Sequence, residues 1–125
     1  MNIGSIRLSQ QAKDHLIKLK RKTGIKNWNV LCRWALCTSL SEPSEPPDAN
    51  IPADSSVEMT WRVFGGEYRD VYYALIKHRC YRAGLGTDEE TIVNQIRLHL
   101  HRGVGYLFAD RSIERIDGLT SKLLT

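Results

Sequence analysis

Lys18, Lys20, Arg21, Lys22 and Lys26 place five cations within nine positions, with no acid among them and Trp28 close behind. Such a density suits contact with a polyanion, whose phosphates relieve the mutual repulsion of ammonium and guanidinium groups. A solvated face is the plainer reading, but ordinary surface helices mix Glu with Lys for i,i+4 support. Here only Asp14 and Lys18 make an opposite-charge pair at that spacing. Arg7 and Lys13 extend the basic set toward the N-terminus.

The other reactive residue types lack a matching pattern. His99 and His101 are two apart, so a helix points them to different sides, whereas helical zinc pairs use i,i+4 spacing. Asp88, Glu89 and Glu90 follow Thr87 at a helix start, where Thr87 and Glu90 read as a capping box and the charges complement the dipole. Asp70, Asp110 and Asp117 are isolated. Cys32, Cys37 and Cys80 form no CxxC and read as free thiols of a reducing compartment. No phosphate-binding glycine loop or nucleophile elbow occurs. The expectation is therefore no catalytic residue, no metal and no cofactor.

Charge is unevenly spread. Residues 1–40 hold eight cations and one acid, residues 41–60 hold five acids and no base, and the remainder holds ten cations and eight acids; the net is +4. With 125 residues, 42% hydrophobic and 26% charged, the chain suits a single globular domain. It has no apolar signal-peptide core and no run of 18 apolar residues, so a cytoplasmic location is expected.

The elements that must position these charges can be read in order. Ser5–Ser9 suggests a short strand ending at Ser9, a helix N-cap. Residues 10–23 form a helix with Ala12, Leu16, Leu19 and Thr23 inward, and Gly24 fits the left-handed position beyond its end. The inward sector is about 60° wide, so the cations ring the exposed side. A second helix, residues 28–40 capped by Asn27, is apolar almost all round and needs cover on every side. That favours an oligomer interface; the alternative is a central helix wrapped by the chain's own C-terminal half.

All four prolines fall in residues 41–56, an acidic, solvated connector. VEMTWRVF, residues 57–64, alternates like a strand, though a helix start also fits. Residues 67–83 read as a helix with Tyr68, Val71, Tyr72, Leu75 and Cys80 inward. A further helix spans roughly 88–102 with Ile92, Val93, Ile96 and Leu100 inward, loosening at Gly103 and Gly105. Residues 111–125 read as a tail.

The predicted fold is thus mainly α: a ribbon–helix–helix-like N-terminal module (short strand, two helices) extended by a further short strand and two helices, in a single domain. Residues 1–110 form the domain, divided into the module at 1–40, the loop at 41–56 and a helical half at 57–110. In ribbon–helix–helix proteins two chains pair their strands, and outward strand residues enter the major groove. Ser5, Arg7 and Ser9 would be that outward set, which suits phosphate contact better than base readout.

The segments IRLSQQAKDHLIKLKRKTGIKNWNVLCRWALCTSL, EMTWRVFGGEY, GLGTDEET and HLHRGVGYL, in this order, resemble the bacterial DNA sulfur-modification (phosphorothioation) family DndE over residues 5 to about 115. The resemblance implies a component of a system that replaces a non-bridging phosphate oxygen of DNA with sulfur. It implies partners that carry the chemistry: a cysteine desulfurase, an iron–sulfur reductase-like protein and an ATPase. It further implies a small homo-oligomer, a tetramer, that binds double-stranded DNA with a preference for nicked duplex. Placing phosphate contacts at Arg7, Lys13, Lys18, Lys20, Arg21, Lys22 and Lys26 comes from this chain's own charges. Two rivals are a nicking endonuclease of the same system and a scaffold whose basic helix docks an acidic protein.

Overall fold

The computed structural model describes residues 3–110; the expected tail, 111–125, lies outside the described residues. Strand β1 (Ser5–Arg7) leads into α1 (Gln10–Thr23) and α2 (Trp28–Leu40). The connector follows, then β2 (Glu58–Thr60), α3 (Trp61–Gly65), a single 3₁₀ turn, α4 (Arg69–Arg82) and α5 (Glu89–Ala109). The arrangement is mainly helical with one two-stranded antiparallel sheet.

The ends of α1 follow local chemistry. Ser9 Oγ accepts from the Ala12 N–H at 3.1 Å. Gly24 is left-handed at φ 76° and its N–H returns to the Lys20 carbonyl. Ala12, Leu16, Leu19 and Thr23 are the buried face, as periodicity requires. Residues 57–64 combine both readings of VEMTWRVF. Thr60 ends the strand and caps α3, its hydroxyl accepting from the Val63 N–H at 3.2 Å.

The ribbon forms within one chain. β1 pairs with β2 in the register Ser5↔Thr60, Ile6↔Met59 and Arg7↔Glu58. Leu8 and Ser55 extend the pairing through Leu8 N–H to Val57 O and Ser55 N–H to Leu8 O. The connector brings β2 alongside, so an intramolecular strand competes at high effective concentration with any second chain. The outward strand face is correspondingly occupied. Ser5 Oγ donates to Glu58 Oε1, Arg7 pairs with Glu58 Oε2 at 2.6 Å, and Ser9 is buried as a cap.

Helix α2 has no fully exposed residue. Leu31, Cys32, Ala35, Leu36, Thr38 and Ser39 are buried, chiefly against α5 and α3. The chain's own C-terminal half therefore supplies most of the cover. Val30, Trp34 and Cys37 stay half-buried around a shallow concavity shared with Arg33 and Tyr72. Asn27 occupies the cap position of α2 without a side-chain capping bond.

Three expectations change in the second half. On α4 the buried residues are Ile76 and Cys80, whereas Tyr68, Val71 and Leu75 are 61%, 54% and 47% exposed. Cys80 is inward as periodicity requires and Tyr72 packs half-buried against the core, but Tyr68, Val71 and Leu75 turn outward, because α4 packs on α5 through a neighbouring stripe. At α5 the cap is Asp88, which accepts from the Thr91 N–H at 3.1 Å, one residue later than the expected box. That helix also continues to Ala109, through Gly103 and Gly105. Gly103 is a packing residue: a Cβ there would lie 1.7 Å from the Ala35 carbonyl oxygen.

The connector is more firmly held than its composition suggests. Arg79 donates to the carbonyls of Leu40, Glu42, Pro43 and Ser44 and pairs with Glu45 at 2.8 Å. Arg102 reaches Ser39 O and Ser44 O, Arg97 reaches Ile51 O, and the Gln10 N–H donates to Asp54.

Candidate nucleic-acid interface

Helix α1 carries the basic set on its outer surface because its apolar stripe fixes which side faces the core. Lys18, Arg21, Lys22 and Lys26 are exposed, and Lys13 and Lys20 are half-buried. Among the described residues none of these six cations forms an ion pair; the two Lys/Arg–carboxylate pairs are Arg7–Glu58 and Arg79–Glu45. The expected Asp14–Lys18 pair is not made, and Asp14 instead accepts from Gln10 Nε2 at 3.0 Å. Lys13 donates to the Ser56 hydroxyl at 2.8 Å. Arg7 stands apart, since Glu58 and the Ser55 carbonyl already engage it. Lys20, Arg21 and Lys22 fall in the last turn, where cations complement the helix dipole, so part of the cluster also serves the helix itself.

Aromatic rings hold several of the ammonium groups, which charge counting alone does not reveal. Lys18 and Lys22 lie over the Phe108 ring, 5.4 and 5.9 Å from its centroid, and His15 stacks on the same ring at 3.9 Å. Lys20 lies over Trp28 at 4.4 Å. These contacts restrain long side chains without neutralising them. Burial, then the charge of Lys18, holds His15 below the ordinary imidazole range against the opposing pull of Asp14. Phe108 arrives from the far end of α5, some 85 residues away in sequence, and only the unexpected length of that helix brings it here.

The remaining reactive groups sit elsewhere. Ser39 Oγ is hydrogen-bonded to His99 Nδ1 at 2.8 Å and accepts from Arg102 Nε at 2.8 Å. Glu45 lies 4.0 Å from His99 Nε2. No sequence spacing signals this Ser–His–Glu grouping, whose members come from α2, the connector and α5. Ser39 and His99 are both fully buried, so the hydroxyl meets no solvent and the group acts as a clamp between α2, α5 and the connector. Burial first, then Arg102 and Arg79, lower the His99 pKa to about 4. His101 packs separately, its Nε2 accepting from the Ser9 N–H at 3.1 Å. Cys32, Cys37 and Cys80 are free, and burial raises the Cys32 thiol to about 12, far from a reactive thiolate. Among the described residues no three His, Cys, Asp or Glu side chains gather as metal ligands, and no helix is long and apolar enough to cross a membrane.

Comparison with known proteins gives one consistent result. The family model described as DNA sulphur modification protein DndE matches residues 5–115. The crystal structure of DndE from Escherichia coli B7A, involved in DNA phosphorothioation modification, superposes with a TM-score of 0.71 at 22% identity, covering 86% of this chain and 98% of that one. The crystal structure of a DndE G21/24K mutant involved in DNA phosphorothioation gives a TM-score of 0.64 at 19% identity, covering 83% and 95%. These likenesses establish the shared fold. No curated protein matches the sequence.

Proposed function

Because the chain belongs to the DNA sulphur modification protein DndE family, we propose that it is the non-catalytic DNA-binding subunit of a phosphorothioation system. It grips duplex phosphates through α1. The observation that carries this reading is the uncompensated basic surface: Lys13, Lys18, Lys20, Arg21, Lys22 and Lys26 lack carboxylate partners among the described residues. Such a surface binds backbone, not bases, and its affinity comes from counterion release. Arg7, already paired with Glu58, contributes least.

A homo-oligomer, a tetramer in this proposal, multiplies that surface. The half-buried Val30, Trp34 and Cys37 of α2 meet Tyr72 of α4 at one concavity, and Tyr68, Val71 and Leu75 continue the apolar face outward. A face of this kind on an otherwise charged domain suits burial against another copy. Several α1 helices on one particle favour DNA that bends toward them, and a nicked strand bends at lower cost. The cysteine desulfurase, iron–sulfur protein and ATPase of the system carry out sulfur transfer in this scheme.

The test is charge reversal at exposed positions. Gel shifts of a 30-base-pair duplex, intact and nicked, are compared for the native chain and a Lys18→Glu/Arg21→Glu/Lys22→Glu variant. A loss of at least 100-fold in affinity is expected with the fold preserved. Unchanged retention of DNA, with loss of binding to the other phosphorothioation proteins, would establish the scaffold reading instead.

A further inference from the structure

We propose that the cleft between the start of α2 and the β2–α3 junction holds a single unstacked nucleobase of the bound DNA. The inference rests on the reading of α1 as a helix that grips phosphates. The cleft is about 260 Å³, below the roughly 300–1,000 Å³ of drug-sized sites and suited to one planar ring system. Its apolar walls are Trp28, Met59 and Val63, and its polar rim is Lys26, Asn27 and Asn29.

Three features of this lining converge on a nucleotide. Trp28 is half-buried and lines the cleft, which offers a base an aromatic surface to stack on. The Asn27 side chain is exposed and, among the described residues, makes no hydrogen bond. Its carboxamide is free both to donate to and to accept from a base edge. Asn29 Nδ2 donates to the Val63 carbonyl at 3.3 Å, which leaves Oδ1 as a second acceptor. Lys26 stands at the rim, and the Lys20 ammonium lies 4.4 Å from the Trp28 ring centroid. Both belong to the unpaired basic set, and they meet the phosphate attached to the captured base. Glu58, the one carboxylate among the lining residues, is already held by Ser5 and Arg7.

Other occupants use only part of this lining. A bare phosphate leaves the indole and the carboxamides idle, and an aromatic protein side chain brings no anion to Lys20 and Lys26. A base inside an intact duplex is already stacked, so the occupant is one released from the stack. Release costs least where the base has no pairing partner. A preference for irregular DNA then comes from the captured base as well as from easier bending, and the two causes are separable.

The experiment compares three 30-base-pair duplexes in gel shifts with the full chain: fully paired, carrying one extra unpaired adenine, and carrying an abasic residue in place of that adenine. Expected is about 10-fold tighter retention of the bulged duplex than of the paired one, with the abasic duplex losing most of that gain. Trp28→Leu should bring the bulged-to-paired ratio within about two-fold, and Asn27→Ala, at an exposed position, should lower it about three-fold. On the ¹⁵N-labelled chain, the Trp28 indole N–H and the Asn27 side-chain amide should shift with the bulged duplex and less with the abasic one. Equal retention of bulged and abasic duplexes would make bending the cause and overturn the proposal. So would a bulge advantage that survives both substitutions, or movement of these resonances on concentrating the chain alone, which would make a second copy the occupant. Loss of all duplex retention would overturn the phosphate reading as well, whereas firm and equal retention of all three duplexes would overturn the captured base alone.

Discussion

Gly103 of α5 lies against the backbone carbonyl of Ala35 in α2, so closely that a Cβ at position 103 would stand 1.7 Å from that oxygen. This contact fixes the crossing of the two helices that form the centre of the core. Ala35 is itself fully buried, so neither backbone can withdraw without opening α2 from Leu31 to Leu36.

A matched pair of substitutions follows. Gly103→Ala should lower stability by about 2–4 kcal/mol through overpacking, despite the better helix propensity of alanine. Gly105→Ala, where a Cβ meets nothing within 4 Å, should raise stability by about 0.5–1 kcal/mol. Urea unfolding of the two variants beside the native chain distinguishes them; equal effects of the same sign would contradict the packing role.

The contrast between these glycines also explains what the sequence disclosed. Local signals were legible: the Ser9 cap, the Gly24 stop and the inward stripe of α1. Over residues 57–64 both a strand and a helix start fitted, but the switch between them at Thr60 was not legible. Nor were signals set by tertiary contact. Two glycines just past an expected helix end at about 102 resemble a terminus, and nothing local reveals that one faces a carbonyl and the other open space. The apolar spacing of Tyr68, Val71, Tyr72 and Leu75 is genuine, but periodicity does not say whether its partner lies within the chain. The cations of the basic face were visible by composition. The Phe108 ring beneath Lys18 and Lys22 depends on a helix continuing past the expected stop. Arg79 and Arg102, ordinary surface charges by sequence, turned out to anchor the acidic connector.

Arg79 should be hard to replace. Its guanidinium satisfies four main-chain carbonyls as well as Glu45, a fan that a single ammonium cannot reproduce. Arg79→Lys should cost about 2 kcal/mol and Arg79→Ala about 3 kcal/mol, since part-buried carbonyls lose their donors. Limited proteolysis should show cleavage within residues 41–56 appearing in both variants; a connector that stays resistant would mean that other contacts hold it.

His99 makes stability depend on pH. Its folded pKa, about 4, lies below the ordinary 6.5 because burial and two arginines oppose the charged ring. Above pH 6.5 both folded and unfolded states hold it neutral. Between pH 6.5 and 4 the unfolded chain takes up a proton that the native chain refuses, so stability falls with falling pH, by about 2–3 kcal/mol at pH 4.5. His99→Asn should remove most of that slope in urea unfolding at pH 7, 5.5 and 4.5. An unchanged slope would assign the acid sensitivity to other groups.

The outward apolar face of α4 tests self-association without disturbing the core. Val71→Glu and Leu75→Glu alter residues about half exposed within the chain, so each should fold with a stability change under about 1 kcal/mol. Sizing chromatography with light scattering should move the double variant to a smaller species. Retention of the native size would place any subunit contact elsewhere.

The salt dependence of DNA binding tests the central claim most directly, with affinity for a 30-base-pair duplex measured from 50 to 300 mM NaCl. If about 4–8 phosphates are contacted, the slope of log K against log salt should lie at about −4 to −7. Replacing Lys18, Arg21 and Lys22 by Gln should make it shallower by about 2–3. A flat response, or a steep one indifferent to these three substitutions, would contradict phosphate contact by α1.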